Sequence, residues 1–391
     1  MEEKQVGNSK RSLYIVGLSF LSINAILQIY QSLVPLIMQR DFKVSEWKIG
    51  MITGAVNVVV CVLLLGLNKI RRTVGKLVFF ATILSVALML TPQSIKHRNV
   101  VLFVILVYVG MMALSYIKVM ANDFTLRVAL PGKENSAMAL TKIMSTIGAI
   151  IVFIIMYALN NDCMFYAMVL LNVLTVGGIF CIRKHLYRSM DNNGATDSKK
   201  SKKALRGRYV KSLVVILLCY TVYDAMLSTF SRYATIVWNM EDNEFALYQS
   251  ICLITAFIAY IPIGKVSNGR NQKKITLGGI GVMIASLVTL GALSGFHFIA
   301  IICLGLIGVA WAAISVNLVP ILVYGANEQE TSSLVGYYSV MNNIGLIIAP
   351  IIAGFLLEYF SYRMLYPWLS GILAVAAIIL LFVKCEKNED E

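Results

Sequence analysis

One acidic residue lies near the middle of a long apolar stretch, residues 211–236, with polar residues at helical spacing around it. Tyr220, Asp224, Ser228 and Ser231 recur at i, i+4, i+8 and i+11, so on an α-helix they share one face. Asp224 is about 13 residues into the stretch, which at ~1.5 Å per residue is about 20 Å. A carboxylate at that depth of a bilayer is costly unless it is paired, hydrated or protonated. The face therefore predicts a water-lined cavity in which Asp224 binds and releases one proton; a structural acid paired with a neighbouring base is the alternative.

The first apolar stretch, residues 12–36, carries a matching face without the acid. Asn24, Gln28 and Gln31 recur at i, i+4 and i+7. Each amide both donates and accepts hydrogen bonds, which suits a hydroxyl-rich or amide-bearing solute. Hydrogen bonding between helices without any ligand explains the same pattern.

Further residues inside apolar stretches complete the predicted pathway. Besides those above we include Asn57, Lys118, Lys142, Trp311, Asn317, Tyr338 and Asn342. For the amides and for Trp311 the alternative is packing between helices. For Lys118 and Lys142 it is that the ammonium groups reach the lipid headgroups, and the same applies to Arg232 near the far end of its stretch.

The composition is that of a polytopic membrane protein. Of 391 residues, 58% are hydrophobic and 14% charged, and the mean hydropathy is +0.76, whereas soluble domains carry about 25% charged residues. Stretches of about 20 apolar residues are long enough to cross a bilayer. Twelve are predicted, at 12–36, 47–67, 76–92, 99–121, 137–158, 162–182, 211–236, 244–265, 273–293, 296–325, 331–358 and 362–384. The first lacks a small-residue cleavage site and is too long for a signal peptide.

Lysine and arginine are distributed unevenly among the loops. If the N-terminus is cytoplasmic, most of them face the cytoplasm, which predicts a multi-pass protein of the cell (inner) membrane with both termini inside. The net charge of +14 reflects this bias, so lipid headgroups and not nucleic acid are the expected partners. The seven cysteines contain no CxxC pair and the three histidines form no cluster. No metal, cofactor or enzymatic activity is therefore expected.

The two halves of the chain resemble each other. The polar run Asp191–Arg208 divides the stretches six and six. Asn24–Gln31 aligns with Asp224–Ser231, and Gly148 aligns with Gly345 at nearly the same spacing. Duplication predicts two pseudo-symmetric bundles with the site near the midplane, where the repeats meet.

The predicted organisation follows from this division. Residues 1–182 form an N-terminal six-helix bundle, residues 183–210 a basic cytoplasmic linker, and residues 211–391 a C-terminal six-helix bundle. The fold class is an all-α membrane protein of twelve transmembrane helices.

Three segments resemble the major facilitator superfamily. They are INAILQIYQSLVPLIMQRDFKVSEWKIGMI, YDAMLSTFSRYATIVWNMEDNEFALY and the WAxxxxNxxP pattern of Trp311–Pro320. Within the superfamily they are most similar to the branch of sucrose–proton symporters and glycoside–pentoside–hexuronide cation symporters. The resemblance implies alternating access around a cavity lined by the first, fourth, seventh and tenth spans.

The loops that follow the second and eighth spans depart from the superfamily pattern. Ile70 and Asn268 occupy the position of its usual acid, although the basic residues remain. The predicted gating residues are Gly66, Arg72, Gly264 and Arg270.

The sequence thus predicts a monomeric, proton-coupled symporter of a small polar solute, with a sugar or glycoside suggested by the resemblance. An exporter or antiporter of an amphiphilic or anionic compound is the alternative that the extra lysines favour. In a third interpretation the chain is a membrane scaffold or receptor that does not transport, whose polar faces are satisfied internally.

Overall fold

Twelve α-helices and one short 3₁₀-helix make up the part of the chain that the structure describes. The computed structural model describes residues 2–67, 74–128, 134–159, 161–181, 207–241, 244–267, 271–324, 326 and 328–383. The helices are α1 (Glu2–Arg40), α2 (Glu46–Leu67), α3 (Val74–Lys96), α4 (Val100–Val128), α5 (Glu134–Ala158), α6 (Asn161–Cys181), α7 (Gly207–Val237), α8 (Glu244–Val266), α9 (Gln272–Ala292), α10 (Phe298–Val323), α11 (Glu328–Tyr359) and α12 (Leu365–Leu381), with the 3₁₀-helix Tyr362–Met364 before α12. The predicted all-α fold of twelve helices is confirmed.

Length and composition make ten helices in the described ranges candidates to cross a membrane. The apolar segment Ile143–Ala158 of α5 is shorter. Because backbone groups cannot bond to water in a bilayer, they must bond within the protein, as they do along these helices. Most of the predicted linker 183–210 lies outside the described residues, but α7 already begins at Gly207.

The chain divides into two compact units. The first comprises residues 1–43 and 58–198, and the second comprises residues 44–57 and 199–391. The first half of α2 thus groups with the second unit.

The same helix pairs recur in both units, as duplication predicts. In the first unit α1 packs on α4, α5 and α6, and α3 packs on α4 and α6. In the second unit α7 packs on α10, α11 and α12, and α9 packs on α10 and α12. Each helix of the first unit that takes part has its counterpart six helices later.

Two aligned glycines make equivalent helix contacts, one in each unit. A Cβ on Gly148 of α5 would lie 2.8 Å from the Cα of Leu21 in α1, and one on Gly345 of α11 would lie 3.4 Å from the backbone nitrogen of Thr221 in α7. Small residues let membrane helices approach this closely. The aligned glycines therefore place α1 against α5 and α7 against α11 in the same manner.

Polar side chains also join helices within the units. In the first unit Asn172 of α6 donates to Ala81 O and to Ser85 Oγ of α3, both at 2.8 Å. In the second unit Lys273 Nζ of α9 lies 2.8 Å from both Leu381 O and Val383 O at the end of α12. The lysine thus satisfies carbonyl groups that a helix end leaves without partners.

Candidate functional site

Four aromatic residues, Tyr220, Tyr223, Trp311 and Tyr338, form one group in the second unit, which we call the aromatic group. The rings of Tyr223 and Trp311 are stacked, with centroids 3.8 Å apart and planes 3° apart. Tyr220 meets Trp311 edge-on at 5.0 Å, and its hydroxyl is hydrogen-bonded to that of Tyr338. Three helices, α7, α10 and α11, are tied together by these contacts.

Two of the four residues in the aromatic group are closed to ligands. Trp311 and Tyr223 are each 6% exposed. In this conformation Trp311 therefore packs between helices, which was the alternative interpretation from sequence. Tyr220 and Tyr338 are half-buried. A solute at this wall of the second unit would therefore meet these two rings and their hydroxyls.

Asp224 directly follows Tyr223 and lies one helical turn after Tyr220. It is about 15 residues from the start of the candidate span Tyr209–Val237, or ~22 Å at 1.5 Å per residue, and it is half-buried. Its carboxylate interacts electrostatically with Tyr220 and Tyr223. Ser228, also half-buried, bonds its own helix at Ala225 O, 3.1 Å away.

Gly345 of α11 sets the position of Tyr220. A Cβ at residue 345 would lie 3.2 Å from the Cβ of Tyr220, which is tighter than an ordinary contact. Asn342, one turn beyond Tyr338 on α11, is half-buried. Tyr220 and Asp224 thus lie on α7, and Tyr338 and Asn342 lie on α11, which packs against it.

The first unit carries the predicted amides on α1. Asn24 Nδ2 donates to Ser145 Oγ of α5 at 2.8 Å and to Phe20 O at 3.1 Å. Gln28 and Gln31 are half-buried, and Gln28 Oε1 is buried without a hydrogen-bond partner among the described residues. Lys118 of α4 is half-buried. Most buried acceptors in folded proteins have a donor, so Gln28 Oε1 is an exception among the described residues.

Other predicted amides are satisfied by the protein itself. Asn317 is 0% exposed; its Nδ2 donates to Ala313 O at 2.8 Å, and its Oδ1 accepts from Ser267 Oγ. Asn57 Nδ2 donates to Leu346 O at 3.0 Å. These two residues are structural amides in this conformation, as the alternative interpretation allowed.

The predicted gating residues fall largely beyond the structure. Arg72 and Arg270 lie outside the described residues, as does the side chain of Lys142. Gly66 lies in α2, and Gly264 is exposed in α8 with no atom near its missing Cβ.

A buried ion pair was missed by sequence reasoning. Arg232 is 2% exposed and bonds Glu46, which is 7% exposed and also accepts a hydrogen bond from the hydroxyl of Tyr362. Snorkelling of Arg232 to the headgroups, which the sequence left open, is therefore wrong. The sequence signal for this pair was weak. It consisted of an acid and a base that each lie near the end of a span.

Within the second unit, the side chains described around Asp224 are the phenols of Tyr220 and Tyr338 and the hydroxyl of Ser228. In the described ranges no three His, Cys, Asp or Glu side chains come close enough to bind a metal ion.

Comparison with known proteins decides the fold. Residues 213–391 match the family model of the Major Facilitator Superfamily. The crystal structure of the nucleoside transporter NupG is similar, with a TM-score of 0.75 and 14% identity over 95% of this chain and 98% of that one. The POT family transporter PepTSo has a TM-score of 0.72 and 11% identity, covering 96% of this chain and 97% of that one. A bacterial homologue of the iron transporter ferroportin, in an inward-facing state, has a TM-score of 0.69 and 12% identity, covering 95% and 98%.

The chain has the major facilitator fold. No curated protein matches it in sequence. Its structural neighbours are transporters whose names give different cargoes. These matches do not confirm the predicted resemblance to the sugar-symporter branch of the superfamily.

Proposed function

We propose that the chain is a secondary transporter of a small polar solute, coupled to protons through Asp224. The observation that carries the proposal is the half-buried carboxylate about midway along α7, next to Tyr220 and the aromatic group. Asp224 is the sole charged residue of α7 between Lys211 and Arg232. A carboxylate in such a place changes its charge on binding one proton, which is the property that a coupling residue needs.

The solute that this arrangement favours carries a ring and several hydrogen-bonding groups. Tyr220 and Tyr338 offer ring faces and hydroxyls in the second unit. Sugars and glycosides have this chemistry, as do nucleosides, the cargo named for NupG. We retain symport of a sugar or glycoside as the first hypothesis, with a monomer in the inner membrane and both termini cytoplasmic.

An anionic solute is the second candidate, because of Lys118. This lysine is half-buried in α4, where an ammonium group attracts anions. An exporter or antiporter of an amphiphilic anion would use it.

Counterflow in proteoliposomes tests the proposal. Labelled sugars, nucleosides and organic anions are compared in the wild type, in Asp224→Asn and in the charge-retaining control Asp224→Glu. We expect Asp224→Asn to exchange the correct solute but to lose accumulation driven by a pH gradient. Accumulation by this variant against the solute gradient would remove Asp224 from coupling, and failure of every solute in the wild type would favour the scaffold interpretation.

A further inference from the structure

A groove opens on the surface of the first unit between α3 and α4. Its volume is about 240 Å³. Side chains from these two neighbouring helices line it: Phe79, Thr82, Ile83, Val86, Ala87, Leu106 and Val109. The hydroxyl of Thr82 is bonded to Val78 O of its own helix at 2.9 Å. The groove therefore presents an apolar surface.

Hydrocarbon suits this groove better than water does. An engineered apolar cavity of about 150 Å³ stays dry and binds benzene, and the groove is larger. Phe79 is 61% and Val86 50% exposed at its edges. Further large apolar side chains extend the exposed surface from the groove toward the turn that joins the two helices: Met89, Leu90, Val101, Leu102 and Ile105. On two helices that are long and apolar enough to cross a membrane, such a face fits lipid tails.

The turn between α3 and α4 carries basic residues that no acid neutralises. Lys96 and Arg98 are exposed, and neither forms an ion pair with an acidic side chain in the part of the chain that the structure describes. Arg98 has a φ of 50°, in the left-handed region where a helix end favours glycine. The turn thus holds an arginine at a position that the backbone alone would give to glycine.

A third basic residue comes from the end of α1. Lys43 follows this helix and is exposed. The ring of its neighbour Phe42 packs on Phe103 in the first turn of α4, with centroids 5.0 Å apart, which places this segment near the same end of the unit. The preceding acid, Asp41, is engaged by Arg40 at 2.9 Å. We call these three exposed residues the basic cluster: Lys43, Lys96 and Arg98.

The basic cluster and the groove are separated by a distance that one lipid spans. Ala87 is the lining residue of α3 nearest the turn and precedes Lys96 by nine residues, or ~14 Å. On α4, Leu106 follows Val100 by six residues, or ~9 Å. One leaflet of hydrocarbon is about 15 Å thick, half of the ~30 Å core. A lipid with its phosphate at the turn therefore has its acyl chains at the depth of the groove.

We propose that the first unit binds one anionic phospholipid, with the headgroup phosphate at the basic cluster and an acyl chain in the groove between α3 and α4. Phosphate oxygens accept hydrogen bonds from ammonium and guanidinium groups. Each basic residue near an anionic lipid surface strengthens the attraction several-fold. A charged feature and an apolar feature thus fit the two ends of one molecule. Asp224 and the aromatic group belong to the second unit, so the lipid site does not depend on the proposed transport.

Native mass spectrometry of the purified full-length chain tests the site. The chain in detergent is titrated with phosphatidylglycerol and with phosphatidylcholine of the same acyl chains, so that the two lipids differ only in the headgroup. We expect the wild type to bind the first phosphatidylglycerol about tenfold more tightly or better, because two or three basic residues contribute. Inorganic phosphate, added as a competitor, distinguishes a lipid site from a site for soluble phosphate.

Two sets of variants separate the headgroup from the acyl chain. Lys96→Gln together with Arg98→Gln should remove the preference for phosphatidylglycerol and leave the binding of phosphatidylcholine unchanged. Thr82→Phe, at an exposed position of the groove, should weaken the binding of both lipids about fivefold or more, since the ring displaces one or two buried methylenes. Val86→Phe is expected to have the same effect and replaces Thr82→Phe if that variant cannot be purified.

Matched controls lie in the second unit. Lys48→Gln together with Lys265→Gln removes two exposed basic residues. Thr289→Phe enlarges another threonine that bonds its own helix, at Ala285 O, 2.8 Å away. Both controls should bind both lipids as the wild type does. Equal affinity of the wild type for the two lipids, wild-type binding by the groove variants, an equal loss in a control, or displacement of phosphatidylglycerol by inorganic phosphate would overturn the lipid site.

Discussion

Replacement of Gly308 by alanine tests how closely α8 and α10 must pack to support the aromatic group. A Cβ at residue 308 would overlap Cys252 O and Thr255 Oγ1 and lie 2.9 Å from the backbone nitrogen of Ala256. Two of these three atoms belong to backbone, so the helices themselves must separate, by roughly 1 Å at a site packed to interior density. Trp311 lies one turn further along α10, so the stack on Tyr223 would shift as well.

The magnitude follows from two opposing effects. Overpacking of a rigid site costs about 3 kcal/mol, and alanine gains roughly 1 kcal/mol over glycine in a helix. We therefore expect Gly308→Ala to lower the free energy of unfolding by about 2 kcal/mol. Gly305→Ala is the matched control on the same helix, since its Cβ would meet Thr255 Cγ2 at an ordinary 3.6 Å.

Reversible unfolding in mixed detergent and SDS, followed by tryptophan fluorescence, measures both variants. Gly305→Ala should be as stable as the wild type or up to about 1 kcal/mol more stable, and its counterflow should be normal. Counterflow by Gly308→Ala should fall. Equal stability of the two variants would refute the close-packing argument.

Three further changes have defined outcomes. Asn172→Val should cost about 1–2 kcal/mol of unfolding free energy in the same SDS titration, since it removes the bonds to α3; no loss would mean that the amide finds equivalent partners in the unfolded state. Lys273→Met should speed backbone amide exchange at the end of α12, where Val383 loses its ammonium partner, and should lower stability by less than about 1 kcal/mol; unchanged exchange would contradict the capping role. Tyr338→Phe, measured by the half-saturation of counterflow, should weaken solute binding by up to about tenfold, and an unchanged value would place the solute away from the aromatic group.

The helices and their duplication could be predicted from sequence because their signals are local or repeated. Twenty-residue apolar stretches give the helices. The alignment of Gly148 with Gly345 gave the repeat, which the structure shows as equivalent contacts on α1 and α7.

The ion pair of Glu46 and Arg232 could not be predicted in this way. The two residues are 186 positions apart, and each lies near the end of an apolar stretch, where contact with headgroups is equally favourable. Asn317 illustrates a second limit. A polar residue in a span gives the same pattern whether it faces water or, as here, bonds Ser267 inside the protein.

The two halves of the chain share a helix arrangement but differ in the polar residues at aligned positions. Asn24 aligns with Asp224, and Ser145, which accepts the hydrogen bond of Asn24, aligns with Asn342. The N-terminal helix pair thus carries a neutral, internally bonded amide where the C-terminal pair carries an ionisable group. Under the proposed function, residues of the N-terminal copy can therefore change to suit a new cargo without loss of the ionisable group in the C-terminal copy.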